Sequence, residues 1–202
     1  MKPAPAGRLR RAYLHHGYSI ETFPFRSWHT WEGRFKSQAL LDEKALAARM
    51  AYVDLNPIRG RMANTPAQSE HTSIKRRIKQ AHKSRQPCLP EQQSKGLLAF
   101  ASNPREDMPD GIPFVLSEYL ALVDWSGRII REDNKSHIQA HLPDMLQRLD
   151  INPRNWMYLT KNFEQPFKNQ VGTAHNVHQA CEDIGKNWVH GINHCEILFS
   201  SA

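Results

Sequence analysis

The sequence predicts a mainly α-helical chain with a small α+β portion near its front. Three observations carry this. From Leu116 onward, apolar residues recur at helical spacing in several successive segments. A shorter run, Glu43 to Leu55, is bounded by helix-start and helix-stop signals. Only one stretch, Trp31 to Gln38, alternates as a half-exposed strand does. With 202 residues, 40% of them hydrophobic, the chain is long enough for one or two domains with a real core.

Residues 1–28 begin with Pro3, Pro5 and Gly7, which disfavour regular structure, and Arg8, Arg10 and Arg11 form a basic arm. This start has no apolar core of the kind a secretory signal needs. In Trp31–Gln38, strand geometry would put Glu32, Arg34, Lys36 and Gln38 on one face, so Arg34 and Lys36 would project together toward a phosphate. Asp42 is a good N-cap and Glu43 suits the positive end of a helix dipole. The helix they open should stop at Asn56, which Pro57 pushes out of the α region. Leu46, Met50 and Val53 are its expected buried stripe. Ala45, Ala48 and Tyr52 form a neighbouring stripe that leads to Asn56.

Thr72 to Lys83 reads as a short basic helix with Ile74 and Ile78 as its apolar contacts. Lys75, Arg76, Arg77, Lys79 and Lys83 make it the densest positive patch. Residues 84–112 have linker composition. Behind them we expect helices from Leu116 to a stop at Gly127, from Ile138 to Leu149 with an early break at Pro143, from Asn152-Pro153 onward, and from Thr173 to Trp188. Trp125, Trp156 and Trp188 are assigned to that helical core. The domain reading is therefore 1–83, a linker over 84–112, and a helical part over 113–202.

Charge separates the two halves. Residues 1–86 hold 17 Lys/Arg against 6 Asp/Glu, and residues 87–202 hold 10 against 14, within a net charge of +7. A basic half of this kind points to a polyanionic partner, with a merely solvated basic surface as the alternative. No apolar run approaches the roughly 20 residues of a membrane span. Cys88, Cys181 and Cys195 are few, odd in number and widely spaced, which argues against a disulfide framework and for a reducing cytoplasm.

Two constellations could carry chemistry. Tyr52 and Asn56 stand four residues apart and share a helix face. A phenol can act as a nucleophile, and an amide oxygen beside it can join the shell of a hard divalent cation. The plainer reading of Tyr52 is a half-buried packing residue. The second constellation is His175, His178 and Cys181 with His190, His194 and Cys195, whose spacing could supply zinc ligands. Its plainer reading is a helical core with incidental histidines, and Cys88 is read as exposed and incidental.

The run WEGRFKSQALLDEKAL, followed by AYVDLNPIRGRMA and PAQSEHTSIKRRI, resembles the C-terminal part of the catalytic domain of REP-associated tyrosine transposases. These are single-tyrosine HUH enzymes that act on single-stranded DNA hairpins. The resemblance is close over Trp31 to Ile78, and the remainder resembles the C-terminal extension of a long subgroup. It implies the rear of a ferredoxin-like HUH domain followed by a helical extension. It further implies that Tyr52 is the nucleophile forming a 5′-phosphotyrosine, and that Asn56 lies beside a Mg²⁺ or Mn²⁺ site. Single-stranded or hairpin DNA would be contacted by Arg34, Lys36, Arg59, Arg61, Lys75, Arg76, Arg77, Lys79 and Lys83. Such a protein would be cytoplasmic and nucleoid-associated, with no membrane partner.

The sequence departs from the family at its metal motif. In the family two histidines spaced i, i+2 on a strand grip the ion. No such pair occurs among the 11 histidines here, and His15 and His16 are adjacent. The expectation is an N-terminally truncated copy that binds DNA, binds no metal tightly and does not cleave alone. It would act as a remnant or regulator, as a dimer or by pairing with an intact relative. A zinc-stabilised helical interaction protein is the alternative from another class.

Overall fold

Helix α1 (Glu43–Asp54) forms where its boundary signals place it. Asp42 sits in extended backbone and its Oδ1 accepts from the Ala45 amide at 2.9 Å, a cap that contributes about 1 kcal/mol. The computed structural model describes residues 37–102, 111–132, 142–186 and 188–200, all within one compact unit, 36–202. Arg34, Lys36, the basic arm and nearly all of the expected strand lie outside the described residues, as do His15 and His16.

The buried face of α1 differs from the expected stripe. Ala45, Ala47, Ala48 and Ala51 are fully buried, Leu46 and Met50 are only partly covered, and Val53 is 52% exposed. The partner helix explains this. Helix α6 (Pro153–Asn162), capped by Asn152, brings buried Trp156 and Leu159, with buried Phe163 at its end, and α1 packs against it. Bulk on one helix is met by alanines on the other, the large-against-small pairing that lets two helices approach closely.

Pro57 ends α1 and opens α2 (Asn56–Arg59), where its missing N–H lies in the first turn and costs nothing. Helix α3 (Ser73–Lys83) is capped by Thr72 and buries Ile74, with Ile78 partly covered, as expected. The described part of the stretch read as a linker, 84–102 with 111 and 112, is packed against the rest. Gln93, Ser94 and Phe100 are buried. The Gln93 side chain accepts from the Phe100 amide at 2.8 Å and donates to its carbonyl at 2.9 Å, standing in for a strand partner. Its Pro, Gln and Ser content marks irregular backbone, and the buried Phe100 anchors that backbone to the core.

Helix α4 (Leu116–Glu132) runs straight through Gly127, the expected stop. A Cβ at Gly127 would lie 2.9 Å from Ile58 Cδ1 and 3.4 Å from Leu55 Cδ2, so this glycine admits α2 rather than ending α4. Of the expected Ile138–Leu149 helix, α5 (Asp144–Arg148) is described, while 133–141 lie outside the described residues. Helix α7 (Ala174–Asp183) is shorter than expected, and Trp188 beyond it is 68% exposed, not core. Helix α8 (Ile192–Leu198) has no counterpart in the sequence reading. It starts at Gly191, which has a φ of +93° and where a Cβ would come within 2.3 Å of the Pro166 carbonyl, so no side chain fits. The architecture is thus mainly helical. Its one named sheet among the described residues is a parallel pair, β1 (Ala39–Leu40) with β2 (Gln170–Val171). Among the described residues no helix is long and apolar enough to cross a membrane.

A buried polar cluster joins the front helices to the rear ones. The Tyr119 hydroxyl of α4 donates to Asp54 Oδ2 at 2.6 Å, and Ser73 Oγ of α3 donates to Asp54 Oδ1 at 2.9 Å. Arg77 adds its charge from α3, sits 4.8 Å over the Phe100 ring and donates to the Leu98 carbonyl at 3.0 Å. Burial raises the Asp54 carboxyl above its ordinary value, and the hydrogen bonds from Tyr119 and Ser73 and the Arg77 charge offset part of that. Burial, then the Asp54 charge, pushes the Tyr119 hydroxyl well above its ordinary value of 10.0.

Tyr119→Phe removes one donor to a buried carboxylate and is expected to cost about 2 kcal/mol in urea unfolding. The pH dependence has a defined sign. A hydroxyl held protonated in the fold contributes stability that is complete below its unfolded value, about 10, and is lost as pH rises beyond it. The Tyr119→Phe chain should therefore lose less stability than the parent between neutral and strongly alkaline pH, read from urea midpoints at each pH.

Candidate nucleic-acid interface

Tyr52 lies on α1 close to its end, half-buried. Its ring rests 6.0 Å from that of Phe163, and the Arg59 guanidinium lies 3.8 Å from the ring centroid, with that of Arg49 at 5.4 Å. Arg49 also pairs with Glu164 at 3.1 Å. The tyrosine therefore sits among cations, in stacking geometry that favours a guanidinium over an ammonium.

Arg59 is placed by backbone chemistry. The last carbonyls of a helix lack partners within it and carry the negative end of its dipole. Arg59 Nη1 donates to the Tyr52 carbonyl at 2.5 Å, near the end of α1, and to the Thr160 carbonyl at 2.9 Å, near the end of α6. Nη2 donates to Asn56 Oδ1 at 3.2 Å. One side chain thus closes two helix ends and holds Asn56. Burial lowers its guanidinium from the ordinary value, and Tyr52 and Glu164 offset part of that.

The residues around Asn56 do not fit a divalent cation. Its side-chain oxygen already accepts from Arg59, and a metal there would face that guanidinium. Among the described residues no group of three or more His, Cys, Asp or Glu side chains stands close enough to hold a metal ion. In the second constellation His175 and His178 are exposed, while Cys181 is buried with its thiol 3.7 Å from Gln170 Oε1. Cys195 is buried, and burial raises its thiol above the ordinary value. Cys88 is partly covered beside Ser117 Oγ at 3.5 Å.

The cations of α3 divide. Arg77, expected to meet DNA, is 7% exposed and turned inward to Phe100, Leu98 and Asp54. It follows Ile74 by three residues, and that spacing puts it on the buried face of α3. Lys79 and Lys83 are exposed. Lys75 pairs with Glu70, and Arg76 donates to the Lys95 carbonyl at 2.5 Å. Lys75, Arg76 and Lys79 line a groove of about 540 Å³ with His71, Thr72, Ser73 and Leu97.

A second groove, of about 510 Å³, is lined by Ile58, Arg59, Arg61, Ala63, Asn64, Ile130, Arg131 and Lys161. Arg59 and Arg61 belong to the expected set. Arg131 and Lys161 escape sequence reading because each stands as one cation in the last turn of a helix, where it suits the dipole. Nothing in their spacing reports that two helix ends converge.

No protein-family model, no curated protein and no solved structure matches the chain.

Arg59→Ala removes a charged donor from two helix-end carbonyls and is expected to cost about 2 kcal/mol in urea unfolding. Tyr52→Phe keeps the ring contacts with Arg59 and Phe163 and should cost under about 1 kcal/mol in the same assay.

Proposed function

We propose that this protein binds single-stranded or hairpin DNA and is related to the REP-associated tyrosine transposases, with Tyr52 at the position of their nucleophile. The observation that carries the reading is the cationic surface. The α3 groove has Lys75, Arg76 and Lys79 along it, with Lys83 exposed one turn further. Such a surface neutralises phosphates and releases their counterions. The YVDLNPIR run supports the family relation.

In this reading the chain does not cleave DNA by itself. Its sequence has no His-x-His pair, and the oxygen of Asn56 is engaged by Arg59. Strand cleavage by the family needs a metal to polarise the phosphate. The protein would work at the nucleoid as a DNA-binding regulator or beside an intact relative. A packed Tyr52 with no chemical role is the second reading, favoured by the Arg59 stacking on its ring.

Two measurements test the proposal. A labelled hairpin should bind with an affinity that falls steeply with salt, and Lys75, Lys79 and Lys83 changed together to alanine should reduce the log–log slope by about 2, at roughly 0.7 per phosphate on a single strand. Binding that stays flat from low to moderate salt contradicts it. With Mg²⁺ or Mn²⁺ added, no covalent protein–DNA adduct should form; an adduct lost in Tyr52→Phe would overturn the claim of inactivity.

A further inference from the structure

We infer that the α3 groove contains a phosphate subsite built by Lys75 and Lys79 with His71, and that the Glu70 carboxylate fills it in the free protein and must swing out before a strand phosphate can enter. The inference rests on the DNA-binding reading above and assigns one position within that surface.

The turn ahead of α3 sets Glu70 in place. Ser69 is fully buried, and its Oγ donates to the Thr65 carbonyl at 3.1 Å. Thr72 Oγ1 donates to the Ser69 carbonyl at 2.6 Å and accepts from the Lys75 amide at 3.3 Å, which caps α3. Glu70 and His71 are the two residues between these anchors, and both are exposed. His71 has left-handed backbone, φ +58°, so the chain reverses here and enters the helix.

Three basic side chains act on that carboxylate. Glu70 Oε1 accepts from Lys75 Nζ. Lys75 and Lys79 stand one turn apart on α3, and both line the groove with His71. Lys75 first, then the charges of His71 and Lys79, holds the Glu70 carboxyl below its ordinary value. Arg76 also lines the groove, but it is committed to the Lys95 carbonyl and takes no part in the subsite. A carboxylate and a phosphodiester each present a unit negative charge on two oxygens and accept the same charge-assisted hydrogen bonds. A place that draws one therefore draws the other.

Glu70 is suited to leave. Its side chain is 68% exposed, and that of Lys75 is 31% exposed. Water and salt screen such a pair, so breaking it costs little. A strand brings phosphates in series. One of them held at exposed Lys83, a turn beyond Lys79, keeps its neighbours at high local concentration beside the subsite.

The experiment measures binding of a labelled hairpin to the full chain at low salt, in a cycle of Glu70→Gln, Lys75→Gln and the double variant. Glu70→Gln should bind about two- to fivefold more tightly than the parent, the range of an exposed ion pair that no longer has to be broken. That gain should shrink as salt rises, because salt screens the pair in the parent. Lys75→Gln should bind more weakly than the parent, and the double variant should bind like Lys75→Gln alone. Urea midpoints check that each variant folds as the parent does. If Glu70→Gln tightens binding equally with and without Lys75, Glu70 acts only as a distant negative charge and the subsite inference is wrong. If the parent binds with a steep salt dependence and Glu70→Gln matches it, the subsite inference is wrong while the DNA-binding reading stands. If neither the parent nor Glu70→Gln binds, both readings fall.

Discussion

The Asp54 carboxylate is the constraint on which the rest of the structure depends. It stands at the last residue of α1, 6% exposed, and accepts from Ser73 on α3 and from Tyr119 on α4. A carboxylate so placed is tolerable only while its partners are present, because an unpaired charge in the interior costs several kcal/mol. Three helices are thereby held in one relative arrangement. At the other end of the same helix Asp42 repeats the device. One oxygen caps α1, and the other accepts from the Thr173 amide at 2.5 Å and from Asn176 Nδ2 at 3.1 Å, at the start of α7. Both ends of the tyrosine helix are fixed in part by residues that the sequence reading assigns to a separate rear part.

This arrangement determines what the surface can do. With its alanine face against α6 and its ends held, α1 presents Tyr52 beside Phe163, at the meeting point of two helix C-termini. That meeting point needs a cation, and Arg59 provides it. The same convergence brings Arg131 and Lys161 toward Arg61. A groove rich in positive charge follows from how three helices end near each other, before any ligand is considered. Arg59 lines this groove and is at the same time committed to holding the two helix ends.

Much of the fold is legible in the sequence. The Asp42 start, the α3 boundaries, the α6 start and the core roles of Trp156 and Ile74 follow from capping chemistry and period. Sequence reading fails where tertiary packing decides. Alanine reads as neutral on a helical wheel, so the α1 face is placed on Leu46, Met50 and Val53. Glycine reads as a stop, yet Gly127 serves close approach. Arg77 reads as surface charge, and only the positions of Asp54, Tyr119 and Phe100 reveal why it is buried. The candidate site is half legible: Arg59, Arg61 and the α3 cations can be named from sequence, whereas Arg131 and Lys161 cannot.

The central claim is that the tyrosine helix and the rear helices fold as one unit through Asp54. Native-state hydrogen exchange tests it most directly. In the parent chain, the most protected amides of α1, near Ala48 to Ala51, should open with the same free energy as those of α4 and α6. In Asp54→Ala the protection of all three should fall together, by about 3 kcal/mol or more. Loss confined to α1, with α4 and α6 keeping their parent protection, would contradict the account.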